Sequence, residues 1–431
     1  MGLAVCYTFW LWLREPHWSQ ALVAGLALGL AELCKFTLII FYPVWILLWL
    51  LYQLSDRSNM AWGNWIQQAK MFSVIFLASL YVINAGYLFE GSFKRLGDYR
   101  FQTMSLTGAA TLGDVQAGSQ NRFIDTWLEW LPVPLPENYV QGLDTQKLDF
   151  ERGMKSYLGG EWQDHGWWYY YLYAWAIKVP LGTWALVLLA VGLSVAGGGH
   201  SASMRDELAV LLPMAAILIL VSSQTGFSVH SRYAIPALPF LFVWTSKVAQ
   251  VLEMRPLRKR LAMTATVLLA LTWSVGSSLA VYPHSLSYFN ESMGGPKNGH
   301  AHLLDSNISW GQDLFYLKRW LDAHPETSPF HLVYYGQADP RLAGIKFTLP
   351  DEKAGPLPGW YGIDVNHLRG TDRQAADGNG NWRCFETGSF RYFLHLQPVA
   401  MAGYSIYIYH ITLDEANRVR RELGLPELPK S

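Results

Sequence analysis

The chain has 431 residues, of which 51% are apolar and only 15% charged, and its mean hydropathy is positive at +0.11. Soluble domains carry roughly 25% charged residues, so this balance excludes an ordinary soluble enzyme. Basic and acidic residues are equal at 33 each, which removes any charge argument for nucleic acid or an acidic partner, and three cysteines are too few for a disulfide scaffold.

Up to about Tyr282 the chain runs through long apolar stretches, and from Pro283 onward it reads as a globular sequence. A helix needs about 20 apolar residues to cross a bilayer. Such stretches fall at roughly 20–34, 36–54, 71–88, 182–197, 207–223, 232–252 and 261–282. Pro43, Pro236 and Pro239 interrupt some of them, which helices packed on neighbours or lining a cavity tolerate. Residues 3–13, closed by Arg14, are apolar but too short to span, and they lack the basic start and small-residue cleavage site of a signal peptide. This predicts that Met1 falls inside a helix of a longer protein. The expected fold class is a polytopic α-helical membrane protein of about seven or eight transmembrane helices, with a C-terminal extracytoplasmic α/β or α+β domain.

Basic residues in short loops mark the cytoplasmic side. Arg14, Arg57, Lys70, Arg205, Lys247, Arg255, Arg258, Lys259 and Arg260 fall on one side, against only Lys35 and Arg232 in the short loops of the other. The chain then divides into N-terminal transmembrane helices, the first truncated (1–88), an extracytoplasmic loop with an interfacial helix (89–181), further transmembrane helices (182–282) and the extracytoplasmic C-terminal domain (283–431). The topology corresponds to a multi-pass protein of the inner (plasma) membrane.

The loop over 89–166 has no strong period, and its LPVPLPENY run (131–139) is expected to be extended. The aromatic stretch 167–177 is expected to lie along the membrane surface. Beyond Pro283, strands are expected at 331–335, 361–368 and 404–411, helices at 312–323 and 413–423, and a loop at 370–383. Thr412 is the expected cap of the last helix, with Asp414 and Glu415 in its first turn.

No phosphate-binding glycine loop, dinucleotide fingerprint or zinc spacing is present, and no metal ligands are assigned. His300 and His302, the only close histidine pair, read as surface residues. Lys35, Lys178, His230 and Arg232 lie at outer helix ends, where charges are costly and are candidates for function. Converging, they could clamp an anionic lipid head group; separately, each could snorkel to the surface. Asp305, Asn307, Gln312 and Asp313 offer carboxylates and amides that could bind a sugar or a divalent ion, or cap helices and turns.

Four segments, GLALGLAELCKFT, HGWWYYYLYAWAIKVPLG, RYAIPALPF and YFNESMGGPKNGHAHLLDSNISWGQDL, resemble bacterial membrane glycosyltransferases of the protein O-mannosyltransferase-like type, family 39, a group of the GT-C type. The aminoarabinose transferase of lipid A is a more distant relative by the same resemblance. The resemblance implies a donor sugar on a polyprenyl-phosphate carrier and transfer to a protein, lipid or glycan acceptor outside the cytoplasm. It matches Lys35 to the lysine after the glycine-rich helix and Arg232 to the arginine of the ArgTyr motif, both suited to the carrier phosphate. Asp305–Asp313 match a recurring segment. The family's catalytic acid lies in a first outer loop to which no residue here corresponds, so no catalytic residue is assigned. The alternative reading is an inactive relative that binds polyprenyl-phosphate lipid or assists another transferase; a transporter is a weaker third.

Overall fold

A computed structural model describes residues 1–55, 62–117, 121–196 and 203–429. Arg57 and residues 197–202 of the expected cytoplasmic loops lie outside the described residues. Four helices lead the chain: α1 (Gly2–Arg14), α2 (Trp18–Cys34), α3 (Phe41–Ser55) and α4 (Trp62–Gly86). Gly25 and Gly29 let α2 close onto α4. A Cβ on Gly25 would lie 2.5 Å from the Ile75 carbonyl oxygen, and one on Gly29 2.6 Å from the Val82 Cβ. Small residues one turn apart permit that approach, and here it fixes the helix end that carries Lys35. Pro43 sits in the first turn of α3, where a missing N–H costs no helical bond. Farther inside, Phe9 stacks on Trp45 at 4.1 Å, next to Trp12 and Phe72.

The next segment departs from the expected loop. After two short turns, α5 (Met104–Thr107) and α6 (Leu112–Ala117), comes a full helix, α7 (Glu137–Arg152). Its buried residues are only Tyr139, Asp144 and Leu148, so no apolar stripe announces it. The proline run is extended only as far as Pro136, which caps α7. A hairpin of β1 (Ser156–Leu158) and β2 (Glu161–Gln163) follows. The aromatic stretch forms α8 (Tyr170–Lys178), which meets α9 (Leu181–Val195) at 110° across Val179–Pro180.

Three helices complete the bundle: α10 (Met204–Ser223), α11 (Leu238–Thr245) and α12 (Leu257–Ala280). Pro236 and Pro239 fall in a 3-10 turn (Ile235–Ala237) and in the first turn of α11, again positions that need no N–H. Among the described residues, five segments are long and apolar enough to cross a membrane: Phe36–Leu54, Asn64–Gly86, Met204–Ser223, Ser231–Glu253 and Leu257–Ala280. The bent α8–α9 pair makes a sixth if it counts as one span. The fold is thus mainly helical, with helices of the length and apolarity that a membrane protein requires. Full-length spans are fewer than the seven apolar runs, because α2 has 17 residues and α9 has 15.

The C-terminal part comprises α13 (Leu314–Ala323), β3 (Phe330–Val333), β4 (Gly359–Asp364), α14 (Val365–Leu368), β5 (Ala375–Ala376), β6 (Trp382–Arg383), β7 (Ala400–Ala402), β8 (Ile406–Ile411) and α15 (Leu413–Glu422). Its sheet has the order β3-β4-β8-β7, with β3 and β4 parallel and the other pairs antiparallel. Leu314 and Leu317 of α13 pack against Phe330, Leu332 and Ile408. Thr412 and Glu415 form a reciprocal capping box at the start of α15. The strand expected to run to residue 368 stops at Asp364, whose carboxylate accepts the Asn366 N–H at 2.8 Å and turns the chain into α14. Residues 370–383 hold the small β5–β6 hairpin rather than an open loop, and β7 is an added strand.

The β1–β2 hairpin and the C-terminal part dock on each other. The Tyr157 hydroxyl donates to the His300 carbonyl at 3.2 Å, the Gly159 N–H to the His302 carbonyl at 3.0 Å, and the Trp162 indole to the Arg369 carbonyl at 2.9 Å. Both large inserted segments therefore share one end of the bundle. At the other end, the Trp10 indole donates to Asp206 at 2.7 Å and Lys247 pairs with Glu207 at 2.7 Å.

Candidate functional site

Lys35 follows the last residue of α2, where its N–H still bonds the Ala31 carbonyl. Its ammonium lies 6.0 Å from the centre of the Tyr233 ring, and the Arg232 guanidinium lies 5.8 Å from the same ring. Arg232 also faces Trp310 at 6.0 Å. Among the described residues neither cation has a side-chain hydrogen bond or a carboxylate partner. Two like charges beside one aromatic ring attract an anion. Beside them, α7 is tied to α2 by the Tyr139 hydroxyl, which donates to the buried Glu32 carboxylate at 2.9 Å.

Asn307 holds the turn that presents Arg232. Its amide oxygen accepts the Ser231 N–H at 3.0 Å, and its amide nitrogen donates to the Tyr170 hydroxyl at 2.9 Å and the Val229 carbonyl at 2.8 Å. Lys178, grouped by sequence with the phosphate-binding candidates, turns the other way. It donates to the Leu286 carbonyl at 2.9 Å and to the Asn307 carbonyl, over the Phe289 ring at 4.3 Å. It braces the 282–314 block and does not join Lys35 and Arg232 at Tyr233.

His230 connects the cations to a carboxylate. Its ring lies 5.6 Å from Tyr233, and its Nδ1 lies 2.6 Å from the Ser306 hydroxyl and 3.5 Å from an Asp305 oxygen. Burial lowers the His230 pKa despite the pull of Asp305, and the Arg232 and Arg373 charges lower it further, so the ring is neutral at pH 7. Asp305 has φ +56°, a left-handed conformation unusual for any residue but glycine, asparagine or aspartate. Its carboxylate accepts the Tyr335 hydroxyl and the Ser306 N–H, the latter at 2.6 Å. Behind it, the Asp305 N–H donates to Asn366 at 2.6 Å, and Asn366 donates in turn to the buried Asp364 at 3.0 Å.

Asp305 opens on a cavity of about 220 Å³ between the hairpin and the C-terminal part, walled by Tyr157, Trp162, Lys155, Thr371 and Arg373. Aromatic faces beside charged and hydroxyl groups make a surface suited to a hydroxylated ring. Lys155 is paired with Asp372 at 3.1 Å.

The other candidates are committed to the protein. Asp313 is buried, bonds His284 at 2.9 Å and accepts from the Ser405 hydroxyl at 2.8 Å. Gln312 closes its own turn through the Trp310 N–H at 2.7 Å and the Ile308 carbonyl at 3.0 Å. His300, expected on the surface, is instead buried, accepts from Arg369 at 2.8 Å and meets the Tyr407 ring edge-on. His302 is half-buried, 2.6 Å from the Tyr173 hydroxyl. Sequence reasoning missed Tyr157, Trp162, Asn366 and Arg373, which come from distant segments. The one signal was the aromatic flanking of the tight glycine pair at 159–160. Among the described residues no group of three or more His, Cys, Asp or Glu is placed to hold a metal ion.

Comparison with protein-family models, curated proteins and solved structures found no match to the chain.

Proposed function

We propose that the protein is a membrane glycosyltransferase that takes a sugar from a polyprenyl-phosphate carrier and transfers it to an acceptor hydroxyl on the extracytoplasmic side of the plasma membrane. The observation that carries this reading is the convergence of Lys35 and Arg232 on Tyr233, both unpaired among the described residues. The pair stands at the helix ends that share one side of the bundle with the polar cavity. A glycosyl phosphodiester carries one negative charge, and loss of the sugar adds a second to the departing phosphate. Fixed cations at that point stabilise the charge as it develops. The family resemblance of the segments around Lys35, Arg232 and Asp305 supports the same reading, and the positive-inside pattern supports the orientation.

The test is transfer of labelled sugar from a polyprenyl-phosphate donor, in membranes containing the chain or its Arg232→Ala variant. Transfer by the chain that is lost in the variant supports the reading. Lipid binding without transfer supports the alternative, an inactive relative that holds the carrier lipid.

A further inference from the structure

We propose that Asp305 is the catalytic proton acceptor of the transfer reaction, and that the cavity beside it holds a carbohydrate acceptor by its hydroxyl-bearing ring. This rests on the glycosyl-transfer reading above. Three observations lead to it. First, Asp305 lines a cavity whose other walls include Tyr157 and Trp162, with the Tyr157 hydroxyl and the Trp162 indole N–H anchored to backbone carbonyls. Second, its carboxylate is held by hydrogen-bond donors, Tyr335 and the Ser306 N–H, and meets no lysine or arginine among the described residues. Asp372, the other acid on the cavity wall, is paired with Lys155. Third, the left-handed backbone at Asp305 is braced by the Asn366 side-chain oxygen, which accepts the Asp305 N–H at 2.6 Å. His230 stands 3.5 Å from an Asp305 oxygen and 5.6 Å from the Tyr233 ring that Arg232 faces.

The step balances as follows. The acceptor oxygen forms a bond to the anomeric carbon of the donor sugar. The bond from that carbon to the carrier phosphate breaks, and its electron pair leaves on the phosphate oxygen beside Lys35 and Arg232. The proton of the acceptor hydroxyl passes to an Asp305 oxygen and from there to water.

Asparagine and glycine both adopt a positive φ readily, so Asp305→Asn and Asp305→Gly keep the backbone. Variants of the 431-residue chain in membranes are given labelled polyprenyl-phosphate mannose and polyprenyl-phosphate glucose, with endogenous membrane acceptors, and polyprenyl-phosphate binding is measured in parallel. Loss of a general base lowers transfer about a hundredfold or more. The expected result is that loss with lipid binding unchanged, and partial return of transfer when formate is added to Asp305→Gly. Near wild-type transfer in either variant, loss of lipid binding along with transfer, or no rescue by formate overturns the proposal while leaving the glycosyl-transfer reading standing. Absence of transfer by the unaltered chain overturns both.

Discussion

Tyr233 is the ring on which two cations meet, and the residues that bring them there are not the ones that carry charge. Asn307 holds the 231–233 turn through a buried amide that bonds Ser231 and Val229 of that turn's segment and Tyr170 of α8. Replacing it with alanine leaves buried partners unsatisfied, at a cost of about 1–3 kcal/mol. Asn307→Ala is therefore expected to lower the thermal unfolding temperature in detergent and to weaken lipid-phosphate binding at the same time. An unchanged unfolding temperature would remove the pinning role. Lys35, His230 and Arg232 were legible because a charge at the edge of an apolar run is conspicuous. Lys178 gave the same signal and proved to bond carbonyls, and Asp313 looked like Asp305 yet serves His284 and Ser405. Residue type and spacing do not reveal which partner lies across the fold, so these pairs could not be separated by sequence.

At the scale of elements, the α2–α4 contact decides where Lys35 stands. A side chain on Gly29 would collide with the Ser79 carbonyl at 2.7 Å as well as with Val82, whereas nothing lies within 4 Å of a Cβ on Gly192 or Gly276. Gly29→Val is expected to destabilise by about 3 kcal/mol, read as a drop in unfolding temperature. Gly192→Ala and Gly276→Ala, in helix interiors with open space, are expected to be neutral or slightly stabilising. Equal effects at all three positions would contradict the packing account. Apolar runs and the Thr412 cap were readable because they are local. Helix α7 was not, since its buried face includes Asp144, whose carboxylate accepts from the Thr103 hydroxyl at 2.7 Å. A buried acid satisfied by a distant loop breaks the apolar pattern that marks a helix.

For the whole molecule, buried titratable groups tie stability to pH. Burial pushes the Asp364 carboxyl up to about 7, against an ordinary 3.8. Its contribution is fully present below about pH 4, where folded and unfolded forms are both protonated. It is lost as pH rises through 7, by up to about 4 kcal/mol. Burial acts in the opposite direction on His300 and His367, both held down to about 3, with Arg369 adding to the effect at His300. Their contribution is complete above pH 6.5 and is lost as pH falls towards 3. Asp364→Asn should therefore gain unfolding temperature relative to the unaltered chain between pH 5 and 8. An offset that does not vary with pH would contradict the assignment. Such buried groups, like the docking of the hairpin onto the C-terminal part, arise from contacts between residues far apart in the chain, beyond the reach of periodicity and caps.

The central claim is that Lys35 and Arg232 together hold one lipid phosphate, and a double-mutant cycle of polyprenyl-phosphate binding tests it most directly. Each single alanine variant is expected to weaken binding by about tenfold, roughly 1.4 kcal/mol. The double variant should lose less than the sum, because the two side chains share one ligand. Binding that is unaffected by either substitution, or losses that add fully, would contradict the shared site.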